Sequence, residues 1–289
     1  MSDLLSIAGL PAGAFAEILA LAERADLGAP LAGKGVALVF QKPSARTRSS
    51  TEMAAVQLGA HPVYIQKEEV GLGTRESAAD VARTLACYHA VIAARVTDHR
   101  DLIAMAEAVE TPVLNLLSDT DHPLQALADL LTVKQLLGRL EGARITYVGD
   151  ADNNVARSLA QACALVGAEL ALASPEAYAL SDAPDGVRQL VDPAEAVAGA
   201  RIVYTDVWVS MGQDGEAAAR RAALAGYRVD SALMAKSDDA WFLHCLPARR
   251  GEEVTDAVID GARSAVWKQA ENRMHTARGA LAWLAGARP

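Results

Sequence analysis

The chain has 289 residues, 52% apolar and 22% charged, so it can bury a sizeable core and still present a charged surface. Its formal charge of −9 argues against a nucleic-acid or polyanion surface and leaves room only for a local site that takes a small anion. Cys87, Cys163 and Cys245 form no pair at metal-ligand spacing, which points to a reducing, cytoplasmic compartment without structural disulfides. Early acids with no basic stretch before an apolar core, and no apolar run of membrane length, predict neither a signal peptide nor a membrane span.

Residues 2–26 read as a helical segment, with Phe15, Ile18 and Leu19 at near-helical spacing and interruptions at Gly9 and Pro11. Val36 to Phe40 is an apolar run of strand length. Thr51 to Leu58 reads as a helix with Met53 and Val56 on one face and Gly59 as its C-cap. The stretch between them is therefore a strand-to-helix turn, with Ser44 and Thr47 as cap hydroxyls. Such a turn aims unpaired N–H groups and a helix dipole at one point, and Arg46 and Arg48 add two guanidinium groups. Helical residues two apart do not share a face, so the two arginines converge only if Arg46 precedes the helix. That geometry suits a phosphate-like dianion.

Pro62 to Ile65, Ala90 to Ala94 and Pro112 to Asn115 read as further strands, alternating with helices over Glu76 to Tyr88 and Asp101 to Val109. Lys67 to Arg75 is a polar, glycine-bearing loop. His122 opens a long helix to about Leu137, after which a second α/β series begins. Its strands are Ala143 to Val148, Glu169 to Ala173, Arg201 to Tyr204 and Ala240 to Leu243, with a helix over Asn154 to Val166 and loop over 175–193. A short apolar piece at Ser264 to Trp267 precedes a closing helix over Asn272 to Leu284. The alternation predicts an α/β fold of two domains, each a parallel β-sheet flanked by helices, joined by a long helix and a returning C-terminal helix. The expected domains are 1–134 with 271–289, and 135–270.

In open parallel sheets, ligands sit beyond the carboxyl ends of the strands. Ser44 to Arg48, Arg95, Asn115, Asp150 to Asn154, Asp206, and His244 with Cys245 all fall there. His244 and Cys245, as neighbours on a strand, should face opposite sides and are not expected to chelate one metal together. Gly149 to Asn154 follows a strand but lacks the Gly-x-Gly-x-x-Gly pattern, so no dinucleotide site is expected.

The run Ser44-Ala45-Arg46-Thr47-Arg48 resembles the phosphate-binding Ser-Thr-Arg-Thr-Arg motif of the aspartate/ornithine carbamoyltransferases. His122-Pro123-Leu124-Gln125 is similar to the family's His-Pro-x-Gln motif. Asp206-Val207-Trp208-Val209-Ser210-Met211-Gly212 and His244-Cys245-Leu246-Pro247 resemble two motifs of its ornithine branch, and Glu271-Asn272-Arg273 its arginine near the C-terminus. The motifs occur in the family's order over nearly the whole chain.

The resemblance implies transfer of a carbamoyl group from carbamoyl phosphate to the side-chain amine of L-ornithine, with no metal or organic cofactor. Carbamoyl phosphate would meet Ser44, Ala45, Arg46, Thr47, Arg48 and Arg75 through its phosphate, with Arg95 also engaged. Arg95, His122 and Thr47 would polarise the carbonyl oxygen, with Arg273 near it. Gln125 and the backbone carbonyls near Cys245 and Leu246 would hold the amino group. Asp206 would pair with the α-amino group of ornithine, Asn153, Ser210 and Met211 would hold its carboxylate end, and Cys245 would lie by its side-chain amine. The two halves would close over both substrates in a homotrimer with shared sites. Putrescine, N-acetylornithine and aspartate are the rival acceptors, and a non-catalytic anion binder is the rival class. Three departures stand out: Ala45 replaces a threonine, Gly71 stands where a glutamine reaching a neighbouring subunit is usual, and Arg75 stands where some members have lysine.

Overall fold

The computed structural model of the chain describes residues 3–11, 13–209 and 214–289. Two compact units emerge, Met1–Ala128 with Asn272–Pro289, and Asp129–Glu271. Both divisions fall within helices, α6 (Pro123–Leu137) and α12 (Val266–Leu284). The first division lies six residues before the expected boundary at 134.

In the first unit the apolar runs are four parallel strands, β1 (Gly35–Phe40), β2 (His61–Gln66), β3 (His89–Arg95) and β4 (Val113–Leu117), in the order β2-β1-β3-β4. From β1 the chain moves to β2 on one side and then to β3 on the other. The loops after β1 and β3 therefore diverge and leave a crevice between them, the expected place for a ligand. Helices α1 (Ala14–Glu23), α2 (Ala45–Gln57), α3 (Lys67–Val70), α4 (Ala78–Ala86) and α5 (His99–Ala108) complete this unit with the start of α6 and the end of α12. Ala37, Val39, Ile92 and Ala94 of the sheet pack with Val81, Ala82, Leu102 and Met105 of α4 and α5.

Helix α12 reaches α1 at a point where only glycine fits. A Cβ on Gly279 would lie 2.6 Å from the Ile18 carbonyl oxygen and 2.9 Å from the Ala22 nitrogen. Arg278, the preceding residue, donates to the Arg24 carbonyl at 2.6 Å and to the Ala22 carbonyl at 3.3 Å, and so ties down the end of α1. Gly279→Ala is expected to force these backbones apart and to destabilise the chain by ~1–3 kcal/mol. A drop of several degrees in melting temperature checks this, and an unchanged temperature would contradict the close contact.

The described residues of the second unit hold five parallel strands, β5 (Arg144–Val148), β6 (Glu169–Ala173), β7 (Arg188–Leu190), β8 (Ile202–Thr205) and β9 (Trp241–His244), in the order β7-β6-β5-β8-β9. Here the order reverses between β5 and β8, which brings the loops after residues 148 and 205 side by side. The Thr205 hydroxyl donates to the Val148 carbonyl at 2.6 Å and fastens the two strand ends together. Helix α7 (Asn154–Val166) follows β5, and α8 (Pro193–Val197), α9 (Ala217–Leu224), α10 (Ser231–Met234) and α11 (Asp256–Ile259) are shorter. The stretch read as loop over 175–193 contains the edge strand β7, and the closing helix begins at Val266 rather than Asn272. No helix among the described residues is long and apolar enough to cross a membrane.

Candidate functional site

The first cluster stands at the crevice of the first sheet. Ser44 leaves β1 in an extended conformation (φ −156°, ψ 107°) and caps α2, its hydroxyl accepting from the Thr47 N–H. Ala45 and Arg46 thus occupy the first helical turn, where N–H groups have no partner within the helix. Both arginines of the motif lie inside α2, contrary to the expected placement of Arg46 in the turn, and two-residue spacing sends them apart. Arg48 donates to Glu52 at 2.7 Å and its guanidinium lies 3.8 Å from the centre of the Tyr64 ring. Arg46 is exposed, and among the described residues it has no carboxylate partner.

Arg95, at the end of β3, reaches back to the same turn and donates to the Thr47 hydroxyl at 3.4 Å. It is only 5% exposed, and among the described residues its Nε finds no acceptor. Burial, then the Arg273 and Arg46 charges, push its guanidinium down to about 10. Arg273, on α12, donates from Nη1 to His122 Nε2 at 3.1 Å and to Gln125 Oε1 at 2.6 Å. Burial and the charges of Arg273 and Arg95 hold His122 well below the usual imidazole value, so it is neutral near pH 7. Its Nε2 accepts from an arginine, which can only donate, so its proton sits on Nδ1. The result is a neutral imidazole beside Arg273 and Arg95, with the charge of Arg46 reaching Arg95 from the start of α2, a local charge that calls for an anion.

Arg75 sits elsewhere in this unit. Gly71 ends α3 in the left-handed conformation (φ +60°), and a Cβ there would lie 2.7 Å from Arg75 Cβ. Turn geometry therefore explains the glycine at this position. Arg75 is exposed and donates to the Glu69 carbonyl, beside Glu76 at 3.7 Å.

The second cluster stands at the crevice of the second sheet. Asp206 follows β8 and is buried. Its Oδ1 accepts from the Val207 N–H at 2.8 Å and from the Cys245 thiol at 3.0 Å. Burial raises its carboxyl above the ordinary range, against the lowering pull of His244 and the Cys245 contact. The hydroxyls of Tyr147 and Tyr204 are buried close by and pushed well above their ordinary value, chiefly by burial and partly by the acids.

Cys245 lies just past the end of β9, so strand alternation does not separate it from His244. Ligand atoms of Asp206, His244 and Cys245 lie within 4.8 Å of one another. The His244 ring is nevertheless engaged at both nitrogens, Nδ1 accepting from the Leu246 N–H at 2.9 Å and Nε2 meeting Glu253 Oε1 at 3.1 Å. A metal there would have to displace one of these contacts.

Asn153 is the N-cap of α7. Its Oδ1 accepts from the Val155 and Ala156 N–H groups, and its Nδ2 donates to the Asp150 carbonyl at 2.6 Å and the Tyr147 hydroxyl at 3.0 Å. These contacts engage both ends of the amide, so the residue serves the turn first. Ser210 and Met211 lie outside the described residues.

Sequence inspection did not single out Arg220, on α9. It donates to Asp150 Oδ2 at 2.6 Å, and its guanidinium lies 5.1 Å from the centre of the Tyr178 ring. Burial, outweighing Arg220 and the Asp152 N–H, raises the Asp150 carboxyl to about 6. A folded value above the unfolded one favours the protonated form on folding. The stability this group contributes is therefore full below pH ~4 and lost as pH rises through ~6. Asp150→Asn, which cannot ionise, is expected to gain roughly 2–3 kcal/mol relative to the parent chain between pH 4 and pH 7. Parallel denaturant titrations across that range check it, and a pH-independent difference would contradict the raised carboxyl.

An anion site at the switch point of one parallel sheet and an acid–thiol site at that of another define a two-domain α/β protein built for small charged molecules. Residues 2–135 match the family model described as aspartate/ornithine carbamoyltransferase, carbamoyl-P binding domain, and residues 141–284 match the Asp/Orn binding domain. An ornithine carbamoyltransferase of Hyperthermus butylicus is 48% identical over 267 residues, covering 88% of this chain and 85% of that one. That of Thermus thermophilus is 44% identical over 294 residues, covering 98% and 96%. The solved ornithine carbamoyltransferase of Pyrococcus furiosus is similar with a TM-score of 0.92 at 40% identity, covering 99% of this chain and 98% of that one. The chain belongs to the aspartate/ornithine carbamoyltransferase family.

Proposed function

We propose that the chain transfers the carbamoyl group of carbamoyl phosphate to the side-chain amine of L-ornithine, giving L-citrulline and phosphate. The carrying observation is positive charge gathered where a helix already favours an anion: Arg95 on Thr47 at the start of α2, with the charges of Arg46 and Arg273 acting on it, and Arg273 on a neutral His122. The first unit, residues 1–134 with 271–289 in the expected division, would take carbamoyl phosphate, and the second, 135–270, ornithine. Ala45, Arg46, Thr47 and Arg95 would hold the phosphate, with Arg48 supporting the helix through Glu52. His122, Arg273 and Gln125 would face the carbamoyl group, where the Nδ1 proton of His122 suits an oxygen that gains negative charge.

Asp206 would pair with the α-amino group of ornithine, with Cys245 by the side-chain amine, and the turn at Leu246 would offer carbonyl groups to substrate N–H groups. An alkylammonium of pKa about 10.4 is only about one part in a thousand neutral at pH 7.4, a cost of roughly 4 kcal/mol that the site must offset by removing a proton. Cys245, whose thiol lies 3.0 Å from Asp206 Oδ1, would be the group to receive it. Citrulline formation from carbamoyl phosphate and ornithine tests the proposal directly. Faster carbamoylation of putrescine or N-acetylornithine would replace ornithine as the acceptor, and phosphate binding without turnover with any amine would leave a non-catalytic anion binder.

The assembly we propose is a homotrimer in which the loop bearing Arg75 completes a neighbour's phosphate site. Arg75 is exposed on that loop, as such a contact needs. Arg46→Ala and Arg75→Ala chains, each nearly inactive, are expected to regain activity when unfolded and refolded as a mixture, because some hybrid sites then carry both arginines. A mixture as inactive as its parts, or a monomer by sedimentation, would overturn the shared site.

A further inference from the structure

A buried polar chain underlies the Cys245–Leu246 turn, entirely within the second unit. Asp129 Oδ1 accepts from Gln269 Nε2 at 2.6 Å, and Gln269 Oε1 accepts from the His244 N–H at 2.9 Å. The His244 ring continues it. Nδ1 accepts from the Leu246 N–H, so the imidazole proton is on Nε2 and points to Glu253 Oε1 at 3.1 Å. That same carboxylate oxygen accepts from the Arg249 N–H at 2.5 Å. Asp129 and Glu253 are fully buried, and His244 and Gln269 are each 1% exposed.

We infer that Glu253, acting through the His244 ring, is the positioning residue that holds Cys245 and Leu246 in working orientation. Leu246 has φ +61°, a left-handed conformation that is strained for a residue with a side chain. Its N–H is held there by His244 Nδ1. In a trans peptide the carbonyl points opposite to the N–H, so this one bond turns the Cys245 carbonyl away from the buried ring. Glu253 fixes the tautomer that leaves Nδ1 free of a proton to accept. It also pins Arg249, so both ends of the segment that carries the turn are held by one carboxylate. The same arrangement places Cys245 Sγ on Asp206 Oδ1.

The consequence for turnover rests on the proposed transfer to ornithine, but the geometry can be read without it. The test uses the full chain carrying Cys87→Ser, which removes the exposed thiol. Cys163 is buried, with its thiol pushed far up by burial, and stays silent. Iodoacetamide then reports how firmly Cys245 is held on Asp206, alongside the KM for ornithine, kcat and a thermal melt. Glu253→Gln retains an acceptor for His244 and Arg249 and is expected to stay within about threefold of the parent in alkylation rate and KM. Glu253→Ala is expected to raise both by at least ~10-fold in protein that still melts cooperatively, the effect of losing one or two hydrogen bonds.

The two halves of the ring are separated by His244→Asn and His244→Gln. Asparagine places an acceptor where Nδ1 was and can still take the Leu246 N–H, whereas glutamine reaches towards Glu253 instead. The asparagine variant is expected to resemble the parent more closely in both readouts. A folded Glu253→Ala chain with parental alkylation and KM, or a glutamine variant closer to the parent than the asparagine variant, would overturn the assignment. Should Glu253→Ala fail to fold, the His244 pair still decides. A parent chain that makes no citrulline would defeat the proposed function while leaving the alkylation series to judge the turn.

Discussion

Arg95→Met is expected to cut citrulline formation at least ~100-fold while leaving the melting temperature equal to or above that of the parent chain. The two halves of this result have one cause. Arg95 is held buried beside the charges of Arg273 and Arg46, and its lowered guanidinium value records the cost of keeping a cation there. A methionine of similar length fills the space and removes the repulsion, so the empty protein should not lose stability. With substrate present the sign reverses, because the anion that the three arginines await loses a charge-assisted partner in a dry site. Inorganic phosphate at a hundred times its dissociation constant should stabilise the parent by about 2.7 kcal/mol and the variant, at the same concentration, much less. Steady-state kinetics with melts at several phosphate concentrations measure both. A variant that loses stability without phosphate would mean that Arg95 is a structural cation rather than part of an anion site.

The fold was legible because its strands are short apolar runs and its longer helices have a clear period. β6 (Glu169–Ala173) and α7 (Asn154–Val166) fall where the apolar pattern places them. Helices of four or five residues, such as α3, α8, α10 and α11, are too short to show a period, and edge strand β7 has only three residues. The site was legible where a motif coincides with a strand end. Ser44, Arg95 and Asp206 are each where the alternation of strands and helices implies.

What stayed hidden depends on partners distant in sequence. Arg48 looks identical to Arg46 in composition, yet the helix turns it to Glu52 and Tyr64. Asn153 reads as a ligand-facing amide, but the cap of α7 engages both ends of it. His244 and Cys245 appear to alternate, until β9 is seen to end between them. Glu253, Gln269 and Arg220 carry no local signal, since each is defined by a contact with a residue 9, 25 or 70 positions away.

Asp206→Asn is expected to lower kcat/KM for ornithine at least ~100-fold and to leave the affinity for carbamoyl phosphate unchanged. The substitution is nearly isosteric. The side-chain oxygen can still accept from the Val207 N–H and the Cys245 thiol, so the turn after β8 should keep its shape. What is lost is negative charge inside a buried pocket, where Asp206 accepts from the Cys245 thiol and acts on both tyrosine hydroxyls. An ammonium group entering that pocket needs a counter-charge, and without one it must leave water unpaired. The loss should therefore fall on KM for ornithine and on kcat together, because the same carboxylate serves binding and accepts from the Cys245 thiol that would receive the proton. Raising the pH should recover part of the rate in Asp206→Asn by supplying more neutral amine, which gives a steeper pH–rate slope between pH 7 and 9 than in the parent. Kinetics with ornithine varied at saturating carbamoyl phosphate, repeated across that range, decide it. A variant with parental ornithine kinetics would remove Asp206 from the acceptor site, and one that loses carbamoyl phosphate binding instead would place the residue with the other substrate.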